Sequence, residues 1–335
     1  PVDQPGPPST ITEGTDATYA QFQLDSAQTR YREGMKAQSN HERGTTPLWR
    51  RLLLTAGLGI GLLLFGRQVW FSYQTVDHQP QLQLRTLSLL VGLALALLVY
   101  GLQVTAWTTI MRSLGAPVKM GQAFRGYFLS FVPRYIPGTV WGYLSRSQWI
   151  KQESGIGYGV SGLASALESA ALVLTALVVI GLYLCVVSSG VMQVLCGLGT
   201  FAVLLVTCLA LPGLIQWLNE KLTRSDGQYA GNFELERSFW IGALGLYLAL
   251  WISYGGSLLC VSQAVHRSGL TSLLDASFVA GISWIAGFVV LIVPSGLGVR
   301  ELTIGTILSR QLGLPFWQAN LIAVLSRLEI LIAEL

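Results

Sequence analysis

The sequence predicts an all-α fold: a polytopic membrane helix bundle of two inverted repeats, each of about three spanning helices plus a re-entrant broken helical hairpin. Three observations predict it. Of 335 residues, 52% are hydrophobic and only 11% charged, whereas soluble domains are about 25% charged. The apolar residues gather into runs long enough to cross, or nearly cross, a hydrocarbon core about 30 Å thick. A weak self-similarity carries landmarks of the first half into the second, at an offset drifting only from 154 to 158 residues.

The elements follow in order. Residues 1–48 form a polar tail, Pro-rich at PVDQPGPPST, with Tyr19, Phe22, Ala27, Tyr31 and Met35 on a loose helical face. The tail is too polar to fold alone, so a protein partner for residues 1–48 is one expectation. The first membrane repeat is set at 49–188. It holds the spans Leu52–Phe71, Leu87–Ile110 and Gly157–Val187, with a re-entrant hairpin at 121–150 made of Gly121–Val132 and Thr139–Ile150. The second repeat, 189–335, holds Gly190–Leu211, Phe239–Val265 and Gln318 to the end, with a broken helix at 277–311 that begins with the apolar run Ser277–Val293.

Orientation comes from the basic residues. Arg30, Arg32, Lys36, Arg43, Arg50 and Arg51 precede the first span, the 111–155 and 213–238 connections are also basic, and 73–86 and 188–189 are nearly free of positive charge. By the positive-inside rule the N-terminus is cytoplasmic. Arg67 is expected to snorkel to the interface, and Trp141, Trp149, Trp240 and Trp317 to anchor helix ends there.

The repeat reads as Tyr100-Gly101 with Tyr254-Gly255, Arg112-Ser113 with Arg267-Ser268, and Phe124 with Phe278. It continues as Pro137-Gly138 with Pro294-Ser295, Gly155 with Gly313, and Leu167-Glu168 with Leu325-Ser326 beside Arg327. Charge counting leaves a parallel arrangement, with Ser277–Val293 as a complete span, open beside the inverted one.

Known catalytic and metal patterns are missing. Cys185, Cys196, Cys208 and Cys260 lie in apolar runs and read as small hydrophobes. His41, His78 and His266 make no ligand pattern. No enzyme activity, cofactor, metal or nucleic-acid partner is expected. The chemistry lies in the helix breaks instead. Pro137, Gly138, Pro294, Gly296 and Gly298 interrupt apolar helices, and irregular backbone at membrane depth is tolerated only where protein or a water-filled cavity satisfies it. Arg134, Arg146 and Arg300 flank these breaks beside a helix N-terminus, an arrangement suited to an anionic group, phosphate above all. Glu301 reads either as a dipole-complementing structural partner or as part of the site. Glu168 and Arg327 lie at similar depth in matching helices, so the expectation is a Glu168–Arg327 pair that either clamps or gates the repeats.

The segments RGYFLSFVPRYIPGTVWG, GLASALES, PSGLGVRE and LIAVLSRL resemble the lysylphosphatidylglycerol synthase/flippase transmembrane domain family over roughly Leu52–Leu335. The resemblance implies a prokaryotic inner membrane and the handling of membrane lipids with large polar head groups. Two departures stand out: these residues hold no soluble aminoacyl-transferase domain, and Ser169 follows Glu168 where the family often has arginine. The leading reading is a flippase-like protein that translocates or handles an anionic lipid or polyprenyl-phosphate-linked head group. The alternative is a non-transporting accessory subunit of a larger complex, docked through its tail. A membrane glycosyltransferase is disfavoured, because Asp226 and Asp275 are isolated.

Overall fold

The computed structural model describes residues 48–77, 84–135, 140–210, 213, 217, 237–266, 270, 272–290, 293–311 and 313–334. The chain divides into two units, 1–52 and 53–335; the helix contacts and the cavity lie within the second. The tail readings, and those on Pro137, Gly138, Arg267 and Ser268, lie outside the described residues.

Eleven α-helices are described, with no strand among the described residues. α1 is Leu48–Asp77 and α2 Thr86–Ser113. The first hairpin comprises α3 (Met120–Leu129), α4 (Phe131–Arg134) and α5 (Val140–Ser154). α6 is Tyr158–Val187, and α7 is Gly190–Leu205, continued by a π turn at Val206–Ala210. After α8 (Arg237–Val265) comes the second hairpin: α9 (Leu273–Val289), a 3₁₀ turn at Pro294–Gly296, and α10 (Val299–Gln311). α11 is Phe316–Glu334. Among the described residues, five helices are long and apolar enough to cross a membrane: α2, α6, α7 with the start of its π turn, α8 and α11. The protein is therefore a multi-pass membrane helix bundle.

The apolar run at Ser277–Val293 is not one continuous helix. Ser272 caps α9, its hydroxyl accepting from the Asp275 amide at 3.0 Å, and the helix stops after 17 residues. At the 1.5 Å rise of an α-helix that length is about 25 Å, short of the core. The chain then folds back, because a Cβ on Gly296 would stand 2.7 Å from the Gly287 Cα. The first hairpin closes in the same way: a Cβ on Gly142 in α5 would meet the Ser130 carbonyl at 3.0 Å.

The element order repeats: two helices, a hairpin, one more helix. Gly155 and Gly313 end the second arm of each hairpin in the same left-handed conformation (φ +69° and +64°). The corresponding helices α2 and α8 pack antiparallel, with the Arg85 amide donating to the Ala264 carbonyl at 3.3 Å and Leu95 against Gly256. α1 and α7 pack crosswise. α1 lies on the second hairpin and α11, where the Asn320 amide donates to the Gln68 carbonyl (2.9 Å) and to Ser72 Oγ (2.6 Å). α7 lies on α6, with Thr200 filling the space over Gly181.

Between helices in lipid, small residues that permit close approach carry the packing. α8 and α11 are mostly buried, whereas Val191, Val194, Leu195, Leu198 and Phe201 on α7 are all more than half exposed, as a lipid-facing helix requires. Arg67 is exposed. Trp240 is not an interfacial anchor. It is 1% exposed and donates its indole N–H to the Thr207 carbonyl at 3.0 Å, an acceptor within the π turn. The four cysteines are free and half-buried.

Close approach sets the expected cost of enlarging these contacts. A Cβ on Gly255 of α8 would stand 2.6 Å from the Ser277 backbone nitrogen, while one on Gly245 of the same helix meets nothing within 4 Å. Gly255→Ala should destabilise by about 1–3 kcal/mol and Gly245→Ala should not. Thermal unfolding of both variants in detergent checks this, and equal midpoints would refute the packing.

Candidate functional site

Each hairpin presents one charged residue that is neutralised by the helix following it. In the first half, Arg146 on α5 donates from Nη2 to Glu168 Oε2 on α6 at 2.6 Å, with exposures of 1% and 2%. Arg146 also donates to Ser165 Oγ (2.7 Å) and stacks over the rings of Tyr127 (4.3 Å) and Trp107 (4.7 Å). Glu168 accepts from the Gln103 amide (2.8 Å) and from the Tyr127 hydroxyl. The second half exchanges the signs: Glu301 on α10 pairs with Arg327 on α11, Oε1 to Nε, at 3.2 Å. This contact is an ion pair without hydrogen-bond alignment, since both Glu301 oxygens and Arg327 Nε lack hydrogen-bond partners.

The expected Glu168–Arg327 pair is therefore absent. Each charge finds its partner inside its own half, between the second hairpin arm and the next helix. Arg327 does join the halves, by another route: its Nη2 lies 3.4 Å from both the Tyr135 hydroxyl of the first hairpin and Ser295 Oγ of the second break.

Between the hairpins lies a cavity of about 90 Å³, several times the roughly 10–15 Å³ that one water needs. Every part of the bundle core contributes: Gln103 from α2, Arg134 from α4, Tyr143 from α5, Glu168 from α6, Trp251 and Tyr254 from α8. The second break and its flanking helices add Trp284, Ser295, Gly296 and Arg300, and α11 adds Glu334. Two arginines, one from each half, thus reach the cavity, both half-buried. Among the described residues neither forms an ion pair. Arg134 lies over the Phe131 ring (4.9 Å), Arg300 over Trp284 (5.7 Å), and Arg300 Nε has no hydrogen-bond partner. Arg146 does not line the cavity; its charge is committed to Glu168, which forms part of the wall.

The backbone break is what admits Arg300. Ser295 and Gly296 both adopt left-handed conformations (φ 53° and 65°), a region that glycine enters freely and other residues rarely do. Gly287 faces them, and a Cβ there would meet Arg300 Cγ at 2.6 Å. The side chain therefore threads a slot between α9 and the break that only two glycines leave open. Gly298 serves a different purpose: it lets α1 approach, since its Cβ would stand 2.6 Å from that of Leu64, and its carbonyl accepts from Gln68 Nε2 (3.2 Å).

Among the residues expected for the site, the structure brings together Arg134, Arg300, Gly296 and Glu168 around the cavity, and places Arg146, Glu301 and Arg327 in the bracing behind it. Pro294 is buried and starts the 3₁₀ turn. Sequence reasoning passed over Gln103 and Glu334. Glu334 accepts from the hydroxyls of Tyr100 (2.7 Å) and Tyr135. A polar side chain inside an apolar run was the available signal for both.

A family model described as the lysylphosphatidylglycerol synthase TM region matches residues 54–333. No curated protein matches.

The Arg146–Glu168 pair sets a stability expectation. Arg146→Met should destabilise by about 3–5 kcal/mol, because it leaves a buried carboxylate unpaired, and the double variant Arg146→Met/Glu168→Met should recover most of that loss. Thermal midpoints of the three variants in detergent check this; additive losses would show the two side chains to be uncoupled.

Proposed function

The chain belongs to the lysylphosphatidylglycerol synthase transmembrane-region family, and from that premise we propose that it is a flippase-like protein moving or handling a lipid with an anionic head group. The observation that carries this reading is the pair of half-buried arginines, Arg134 and Arg300, facing one cavity with no ion pair to a carboxylate among the described residues. An uncompensated guanidinium at membrane depth is expensive, and a phosphate diester or monoester satisfies it with charge-assisted, often bidentate hydrogen bonds. Aromatic walls at Trp251, Trp284 and Tyr143 exclude water and strengthen those bonds. Glu334 and Glu168 accept hydrogen bonds from hydroxyl or amino groups on the rest of the head group. Acyl or prenyl chains remain in the bilayer.

In this reading the hairpins are re-entrant and the repeats inverted. The antiparallel packing of α2 on α8 supports that sense, as does the crosswise placement of α1 and α7. Arg146–Glu168 and Glu301–Arg327 act as braces that fix each hairpin arm, and contact with the phosphate falls to Arg134 and Arg300. The setting is a prokaryotic inner membrane with the N-terminus cytoplasmic.

Proteoliposomes carrying a head-group-labelled anionic lipid and a membrane-impermeant quencher test the proposal. Wild type should move lipid faster than empty liposomes. Arg300→Ala should lose roughly tenfold or more, since removing a hydrogen bond to a charged group costs about 1.5–3 kcal/mol and every 1.4 kcal/mol is a factor of ten. Its thermal midpoint should stay near wild type. Wild-type rates equal to empty liposomes across several anionic lipids would remove the transport reading.

A further inference from the structure

Glu329 stands apart from both ion pairs and from the cavity. It lies on α11 two residues beyond Arg327, is 6% exposed, and is enclosed by α2 and α8. From α8 the Ser257 hydroxyl donates to Oε2 at 3.0 Å, and the Cys260 thiol is the other titratable group of that helix that interacts with it. From α2 the carboxylate meets Gly92, where a Cβ would stand 2.8 Å from both oxygens. The niche is thus cut to the carboxyl group by the missing side chain. Oε1 has no hydrogen-bond partner. Among the described residues, no Lys, Arg or His forms an ion pair with it.

An ionised carboxylate at membrane depth with one oxygen bare and no counter-charge is among the costliest groups a bundle can hold, and such residues mark ion and proton paths. A proton on Oε1 removes that cost while leaving Oε2 free to accept from Ser257. The same helix carries Arg327, Ile330 and Glu334, of which the last two line the cavity. A change of charge at Glu329 therefore acts on the element that shapes the cavity, without touching its contents.

We propose that Glu329 is a proton-binding site that holds a proton in this conformation, takes it from one face of the membrane and releases it to the other as α11 shifts, so that turnover of the cavity is linked to proton movement. The linkage rests on the transport reading above; the proton on Glu329 does not.

Two measurements on the full chain separate these parts. Infrared spectra in lipid nanodiscs at neutral pH should show a protonated-carboxyl C=O band that Glu329→Gln loses. In Ser257→Ala the band should move to higher wavenumber as its hydrogen bond disappears, which keeps the assignment testable where Glu329→Gln fails to fold. In proteoliposomes with a head-group-labelled anionic lipid, an imposed pH gradient should raise the wild-type rate severalfold. The Glu329→Gln rate should be the same with and without the gradient. No band difference between wild type and both variants overturns the proposal even where lipid moves. A band with a wild-type rate indifferent to the gradient, or a variant that responds equally, overturns the linkage and leaves transport standing. A wild type that moves no lipid ends the transport reading and the linkage with it, while the infrared band alone decides the proton.

Discussion

Charge neutralisation inside hydrocarbon is the constraint on which the rest of this bundle depends. A lipid slab offers no water to solvate a guanidinium or a carboxylate, so each must meet its partner within the chain, be held neutral, or face a cavity that can hold water or a ligand. Arg146–Glu168 and Glu301–Arg327 meet that demand by tying each second hairpin arm to the helix after it. The hairpin arms are short, 15 and 13 residues in α5 and α10, and lack the length that holds a full span in place. The ion pairs fix the arms, the arms position the breaks, and the breaks present the cavity's arginines.

The two halves solve the problem with opposite signs, and this has a consequence for the cavity. In the first half the hairpin arm carries the cation and the following helix the anion; in the second half the roles reverse. The exchange leaves no excess charge in the bracing, so among the described residues the positive charge at the cavity comes from Arg134 and Arg300, offset in part by Glu334. Because Arg134 comes from one half and Arg300 from the other, a ligand held by both bridges the halves. Arg327 already does so weakly through Tyr135 and Ser295, at 3.4 Å to each. Relative motion of the halves would change the spacing of the two cationic groups while each internal ion pair stayed intact.

Much of the fold was legible in the residues. Phe239–Val265 was expected as a span and α8 runs Arg237–Val265; Thr139–Ile150 was expected as a short arm and α5 runs Val140–Ser154. Apolar length and Pro-Gly punctuation suffice for that, because hydrocarbon thickness is a fixed ruler. The partners of the charges were not legible, for a physical reason. A repeat in sequence reveals equivalence, and Glu168 and Arg327 are near-equivalents. Equivalent positions lie across the relation between halves, whereas ion partners lie within contact of one another in the same half. Glu334 and Gln103 were missed differently: both sit in apolar runs where a polar residue was itself the signal. Trp240 shows the reverse error, an aromatic near a helix end that turned inward because the π turn freed a carbonyl for it.

In the glycine-rich break, cost and use are the same feature. Ser295 occupies a backbone region that costs of order 1–3 kcal/mol for a residue with a side chain, and it borders an apolar helix that would otherwise continue. That strain is held in place from several sides. Gln68 of α1 donates to the Gly298 carbonyl, Gly287 lies against Gly296, and Arg327 Nη2 reaches Ser295 Oγ. Two of these three contacts use atoms that also border the cavity or brace its arm. A head-group phosphate drawing on Arg300 would pull on the same backbone that Gln68 and Arg327 restrain. In the proposed reading, head-group binding, the α1 contact and the Glu301–Arg327 brace would thus act on a common set of bonds at this break, which would make it the hinge of the transport cycle.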